Sequence, residues 1–313
     1  MKFKNVIFLI TLSAILISSR SISAQDSEFK RKFDSLFVLA GSGSVLHQDL
    51  VEPAKDSIAA MGEEVVPLLI DKFLVKSARE RWAVIHIFQR IGSPAVPYLV
   101  RALKRPDDLI VQRVCGALGD IKDSTAVEPL MEVCSSKCWQ VRDQAVGALG
   151  KIGSVSASNV IIAALDDEIG QVRKSAAVGC GKMDLEQAAA KLVHVLGDDF
   201  YGARWSAVHS LLRMDTVMVT QVLADSLKSE TPFVGDLGCY ILGQFGHEKA
   251  LDLLYLQTKS EQPNRRAHAA VALLTADPED HCSYQHLMFE RETDRLVLLK
   301  MRSALAAAKN DLE

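Results

Sequence analysis

Apolar residues close a helical pattern at Met61, Ile91, Ile121, Ile152, Met183, Met214, Phe245 and Ala276, at intervals of 30, 30 and then 31 five times. Three places before the seven anchors from Ile91 onward stand Phe88, Leu118, Leu149, Cys180, Leu211, Leu242 and Leu273. Seven places before them stand Val84, Val114, Ala145, Ala176, Ala207, Gly238 and Ala269. Spacings of 3, 4 and 7 lay one apolar stripe along a helix. The small residues at the seventh place predict close approach between neighbouring helices.

Each period also predicts an earlier helix. Val66-Pro67-Leu68-Leu69, Val96-Pro97-Tyr98-Leu99 and Val127-Glu128-Pro129-Leu130 open three of them, with Pro near a first turn where its missing donor costs least. Gly62, Gly92, Gly153 and Gly246 follow their anchors directly, as do Asp184, Asp215 and Asp277, which suits helix ends and the caps of the next helices. Two helices of about a dozen residues, each with one apolar face, cannot bury those faces alone, whereas stacked copies can. The expected architecture is all-α, a right-handed α-solenoid of about seven helical-hairpin repeats with capping helices.

The repeated text makes the chain similar to a known family. The best copies are QVRDQAVGALGKIG over 140–153 and QVRKSAA over 171–177. They resemble HEAT repeats, in particular the short, phycobilisome-lyase HEAT-like type, and the likeness runs from Glu52 to Asp277. It implies that the second helix of each repeat lines a concave surface. It says little about activity, because the family includes scaffolds, lyase subunits, hydroxylases and nucleic-acid binders. Phe29, Phe33, Leu36 and Phe37 form a stripe that fits an N-terminal capping helix before the loop Gly41-Ser42-Gly43-Ser44. Leu296, Leu299, Met301 and Leu305 fit a closing helix. The expected division is therefore a signal peptide over 1–24, an N-terminal cap over 25–51, the solenoid over 52–277 and C-terminal capping helices over 278–313.

Composition adds compartment and excludes partners. The 313 residues carry 36 Lys and Arg against 39 Asp and Glu, a net charge of −3, which gives no electrostatic reason to expect nucleic acid. Lys2 and Lys4, an uncharged run from Val6 to Ile17 and the small-residue tail ending at Ala24 read as a secretory signal. Cleavage after Ala24 would leave 289 residues and move the charge to −6, because three basic residues and no acid are lost. Retention of this segment as a membrane anchor is the alternative. No second apolar stretch is long enough to cross a membrane, and the expected location is periplasmic or secreted.

Candidate chemistry is sparse. Arg81, Arg142, Arg173, Arg204 and Arg266 recur ten places before their anchors, with Val111 and Gly235 breaking the series. They fit a structural ladder paired with carboxylates of the loop just before each one, Asp166 and Asp167 for Arg173, Asp198 and Asp199 for Arg204. An anion-binding ladder is the other reading.

Two second helices share Arg-Trp-x-x-x-His, at 81–86 and 204–209. Trp and His at i and i+4 share a helix face. In the intervening and following repeats the same rows carry Gln112, Asp143, Lys174, Asp236 and Tyr240. The candidate binding residues are therefore Trp82, His86, Asp143, Lys174, Trp205, His209, Asp236 and Tyr240, unless both Trp pack between helices instead.

Of the cysteines, Cys115, Cys180 and Cys239 stand at core places. Cys134 and Cys138 could bond only if a helix ends between them; Cys282 stands apart from the repeat. The eight histidines form no metal motif, and the single His247-Glu248 dipeptide departs from the hydroxylase branch. No metal site, cofactor or catalytic residue is expected. The reading is of an exported, non-enzymatic scaffold that binds a protein or peptide in its groove. An enzyme of the hydroxylase or lyase type and a glycan-binding module are the alternatives.

Overall fold

The computed structural model describes residues 26–227, 232–276, 288–289 and 292–310, and among these every regular element is helical. The proposed signal peptide, Asp277 and Cys282 lie outside them. The chain divides into two compact units, residues 1–123 and 124–313. Each is a stack of helical hairpins, the α-solenoid architecture.

In the first unit, α1 (26–40) precedes α2 (Gln48–Ala59), α3 (Val66–Asp71), α4 (Ala78–Ile91), α5 (Val96–Ala102) and α6 (Asp108–Ile121). α1 buries Phe33, Phe37 and Ala40, and Lys72 lays its ammonium over both rings while bonding Asp34 at 2.9 Å. Successive second helices α2, α4 and α6 pack on one another, and α5 backs α6.

The second unit continues with α7 (Val127–Val133), α8 (Trp139–Ile152), α9 (Ser158–Ala163), α10 (Gly170–Lys182), α11 (Ala189–Val195) and α12 (Tyr201–Leu211). Then come α13 (Thr216–Ser226), α14 (Pro232–Phe245), α15 (Glu248–Gln257), α16 (Pro263–Ala276) and α17 (Arg295–Asn310). The even-numbered helices from α8 to α16 stack in order, the odd-numbered ones back them, and α17 closes on α16.

The helix ends follow the sequence signals. Gly62, Gly92, Gly153 and Gly246 take φ of 75°, 68°, 75° and 63°, values open to Gly at little cost. Lys122 and Asp184 take the same turn at 62° and 51° with a side chain present. Asp215 caps α13 by accepting from the Met218 N–H at 2.7 Å, and Asp107 caps α6 from Leu109 and Ile110.

Two expectations change. The first helices from α3 to α11 have only 6 or 7 residues, because a 3-10 turn occupies the stretch just before each one. The anchors are mostly half-buried, since Ile91, Ile121 and Ile152 are the last residues of their helices. The buried stripe runs instead through the places three, four and seven before them, such as Phe88, Ile87 and Val84.

Gly238, one of the small residues at the seventh place, faces the hairpin's own first helix, a close approach of the expected kind. A Cβ added to Gly238 would lie 3.2 Å from Leu227 and 3.4 Å from Leu223, beside α13. Finally, α17 buries Val297, Met301 and Ala304, while Leu296 and Leu299 face solvent. The closing helix is where the sequence places it, with Met301 and the neighbouring Val297 turned inward.

Candidate binding face

The arginine ladder is built across repeats. Arg142, near the start of α8, donates from Nη1 to the carbonyls of Ser136 and Lys137, six and five residues back. Its Nε and Nη2 reach forward to the two oxygens of Asp167 at 2.8 and 2.9 Å, and Nη2 also meets Glu168. Arg173 repeats this with the carbonyls of Asp167 and Glu168 and the carboxylates of Asp198 and Asp199. Arg266 does so with Ser260, Glu261 and both oxygens of Glu292.

The expected pairing ran the other way. The loop before each Arg offers backbone carbonyls, and the carboxylates come from the loop 25 or 26 residues ahead. Asp167 and Asp198 also accept from the backbone N–H of Ile169 and Phe200, so one carboxylate orders its own loop and holds the preceding repeat. Burial pushes the Asp167 and Asp198 carboxyls up, but the guanidinium and backbone donors outweigh it and hold them below the usual range. With all five donors of Arg142 engaged, it has none left for an anionic ligand.

Among the described residues, Arg81 and Arg204 show the backward contacts, to Val75 and Lys76 and to Asp198 and Asp199. Arg204 turns its guanidinium onto aromatic rings, 4.4 Å from the Phe233 centroid and 5.6 Å from that of Tyr201. Gly235 breaks the ladder for a packing reason. The Arg265 side chain crosses it, with Nε 2.3 Å from where a Cβ would stand, and donates to the Leu227 carbonyl at 3.0 Å.

The Trp-His rows fall in both units. On α4, Trp82 is 61% exposed and its ring lies 6.0 Å from that of His86, whose Nδ1 faces the buried Lys55 ammonium at 3.4 Å. Lys55 also bonds Glu52, which Arg90 meets from the other side; these two cations draw the Glu52 carboxyl down to about 2. Trp82 therefore does not pack between helices.

On α12 the ring of Trp205 is half-buried at the centre of a cluster. Tyr201 and His209 flank it one turn away at 6.2 and 6.0 Å, and Tyr240 of α14 meets it edge-on at 6.0 Å and 73°. Tyr201 is 64%, Phe233 50% and Tyr240 40% exposed, so the two helices present several rings to solvent around the Arg204 guanidinium. Phe233 and Tyr201 are additions: Tyr201 stands one turn before Trp205 on α12, a spacing visible in the sequence, whereas Phe233 comes from α14 and is brought near only by the packing of the two helices. Asp236, one turn before Tyr240, holds one oxygen 3.2 Å from Nδ1 of His268 on α16, which lifts the His268 pKa.

Two residues of the row are differently placed. Asp143 is buried and accepts from Ser175 at 2.6 Å and Gln144 at 3.1 Å, so it joins α8 to α10. Lys174 is half-buried, and its Cδ lies 3.2 Å from where a Cβ on Gly202 would stand. Cys115, Cys180 and Cys239 are buried, and burial pushes the Cys180 and Cys239 thiols up to about 12. α7 does end before Cys134 and α8 begins after Cys138, but both thiols are free. Among the described residues no three His, Cys, Asp or Glu side chains converge as metal ligands would, and no helix is long and apolar enough to cross a membrane.

Several solved structures are similar in part. Human deoxyhypusine hydroxylase in complex with glycerol is 19% identical with a TM-score of 0.36, over 82% of this chain and 99% of that one. The complex of CpcE and CpcF of phycocyanin lyase from Nostoc is 14% identical with a TM-score of 0.42, over 78% and 94%. A designed armadillo repeat protein is 16% identical with a TM-score of 0.39, over 58% and 100%. No curated protein matches the sequence. The family model for HEAT repeats matches residues 112–178 and 127–212, a stretch that holds most of α6 and all of α7 to α12.

Proposed function

We propose that the chain is an exported, non-enzymatic scaffold that holds an extended segment of a partner protein against the face of α12 and α14. The observation that carries this reading is the set of exposed rings Tyr201, Trp205, Phe233 and Tyr240 on α12 and α14; the Arg173–Asp198 pair ties the loop before α12 to α10. Rigid aromatic rings supply large contact area at little entropic cost, which is why they dominate the binding energy of protein interfaces. Export rests on the charged start, apolar run and small-residue tail of Met1–Ala24. The open ring of Trp82 on α4 also favours a second reading, stacking against the flat face of a sugar.

A library of displayed unstructured peptides panned against the purified chain tests the first reading. Enriched peptides should lose at least about tenfold in affinity for the folded Trp205→Ala, Tyr240→Ala double variant. Peptides that bind this variant as tightly as the native chain overturn it. Enrichment of bound glycans alone from a glycan array would favour the second.

A further inference from the structure

The aromatic face already binds a cation of its own. Arg204 lays its guanidinium on Phe233 and Tyr201, one turn from the Trp205–Tyr240 corner. That corner repeats the same ingredients with a carboxylate added. Trp205 and Tyr240 meet nearly at right angles, and Asp236 stands one turn from Tyr240 on the same face of α14. Asp236 is partly exposed, and Nδ1 of His268 lies 3.2 Å from its Oδ1. Arg204 does not reach this corner with a free charge, being tied to two loop carbonyls and two rings.

The charge of the second unit points the same way. Residues 124–313 hold 19 Lys and Arg against 25 Asp and Glu, a net −6, while the whole chain is at −3. A basic partner is therefore drawn to this unit at long range, and an acidic one is repelled.

Building on the peptide-binding reading above, we infer that the corner of Trp205, Tyr240 and Asp236 takes an arginine or lysine side chain of a basic extended segment. The ring faces attract the cation through their quadrupoles and the carboxylate supplies a charged hydrogen-bond acceptor. Neighbouring apolar residues of the segment then lie against Tyr201 and Phe233.

The test uses four blocked heptapeptides of sequence Ser-Leu-Gly-Xaa-Gly-Leu-Ser, with Arg, Lys, Ala or Glu at the centre, titrated by calorimetry into the full chain. The Arg and Lys peptides should bind about tenfold tighter than the Ala peptide, with the Glu peptide weakest. Asp236→Asn should cut the preference for Arg over Ala to about threefold or less, and added salt should do the same. Because Asp236→Asn also loosens His268, Tyr240→Leu serves as a second variant and Tyr240→Phe, which keeps the ring, should retain the preference.

Equal affinity for the Arg, Ala and Glu peptides, with binding still lost in the Trp205→Ala, Tyr240→Ala double variant, overturns the cation site and leaves peptide binding standing. Failure of all four peptides to bind, when panning also yields none, removes both.

Discussion

Gly235 and Lys122 show how single positions answer to packing and to backbone. At Gly235 the ladder residue is missing because the Arg265 side chain fills its space, and a methyl group would stand within 2.6 Å of three guanidinium atoms. Gly235→Ala is expected to cost about 2 kcal/mol in urea unfolding, as overpacking does. Lys122 ends α6 in the left-handed region at φ 62°, where four of its counterparts in other repeats are Gly and one, Asp184, is not. Lys122→Gly should relieve that strain and raise stability by about 0.5–1 kcal/mol, less whatever the freer unfolded chain takes back. The glycine signal was legible in the sequence, and so was its absence here. The Arg265 crossing was not, because nothing local marks a side chain that arrives from the next repeat.

At the scale of elements, the closest helix contacts obey a simple rule. A residue two places before one anchor meets a residue four places before the next: Gly150 on Gly179, Gly181 on Ser210, and Gly243 on Ala272. A Cβ on Gly150 would lie 2.8 Å from the Gly179 Cα, a backbone atom that cannot swing aside. Ser210 turns its crowding to use by donating to the Ala177 carbonyl at 2.8 Å. Gly150→Val should therefore push α8 and α10 apart and cost about 3 kcal/mol in thermal or urea unfolding. Gly147→Ala, where nothing lies within 4 Å, should instead add about 0.5–1 kcal/mol through helix propensity.

The 31-residue register was legible because the buried places of the second helices recur without insertion. Which small residues touch which helix was not, since the repeat fixes the spacing but not the angle at which neighbouring helices cross. The forward reach of the ladder was hidden for a related reason. Acids flank Arg173 and Arg266 on both sides in sequence, and only the stacking distance selects those ahead.

At the scale of the molecule, ion pairs with little exposure tie α8 to the loop before α10, α10 to the loop before α12 and α16 to the segment before α17, and this gives the second unit's stability a pH dependence. Asp167, Asp198 and Glu292 have lower pKa values folded than their ordinary 3.8 or 4.5, so the unfolded chain binds more protons in acid. Their contribution is fully present above that range and is lost as pH falls through the folded values. Urea midpoints should hold steady from neutral pH to about 5 and drop below about 4. Arg173→Ala, which leaves Asp198 buried without its partner, should cost about 3 kcal/mol near neutral pH and much less in acid.

The candidate face was half legible at this scale. Trp205, His209, Asp236 and Tyr240 stand on recurring places of the repeat, whereas Asp143 shares their row and is consumed by Ser175. The row predicts direction along a helix, and neighbouring side chains decide whether a residue is free.

Oxidative footprinting tests the central claim most directly, by comparing hydroxyl-radical labelling of Tyr201, Trp205 and Tyr240 in the free chain and with a saturating panned peptide. The account predicts that all three slow by at least about threefold, while the exposed Trp139 at the start of α8 keeps its free rate. Unchanged labelling of the three rings in a chain that holds its peptide would contradict it.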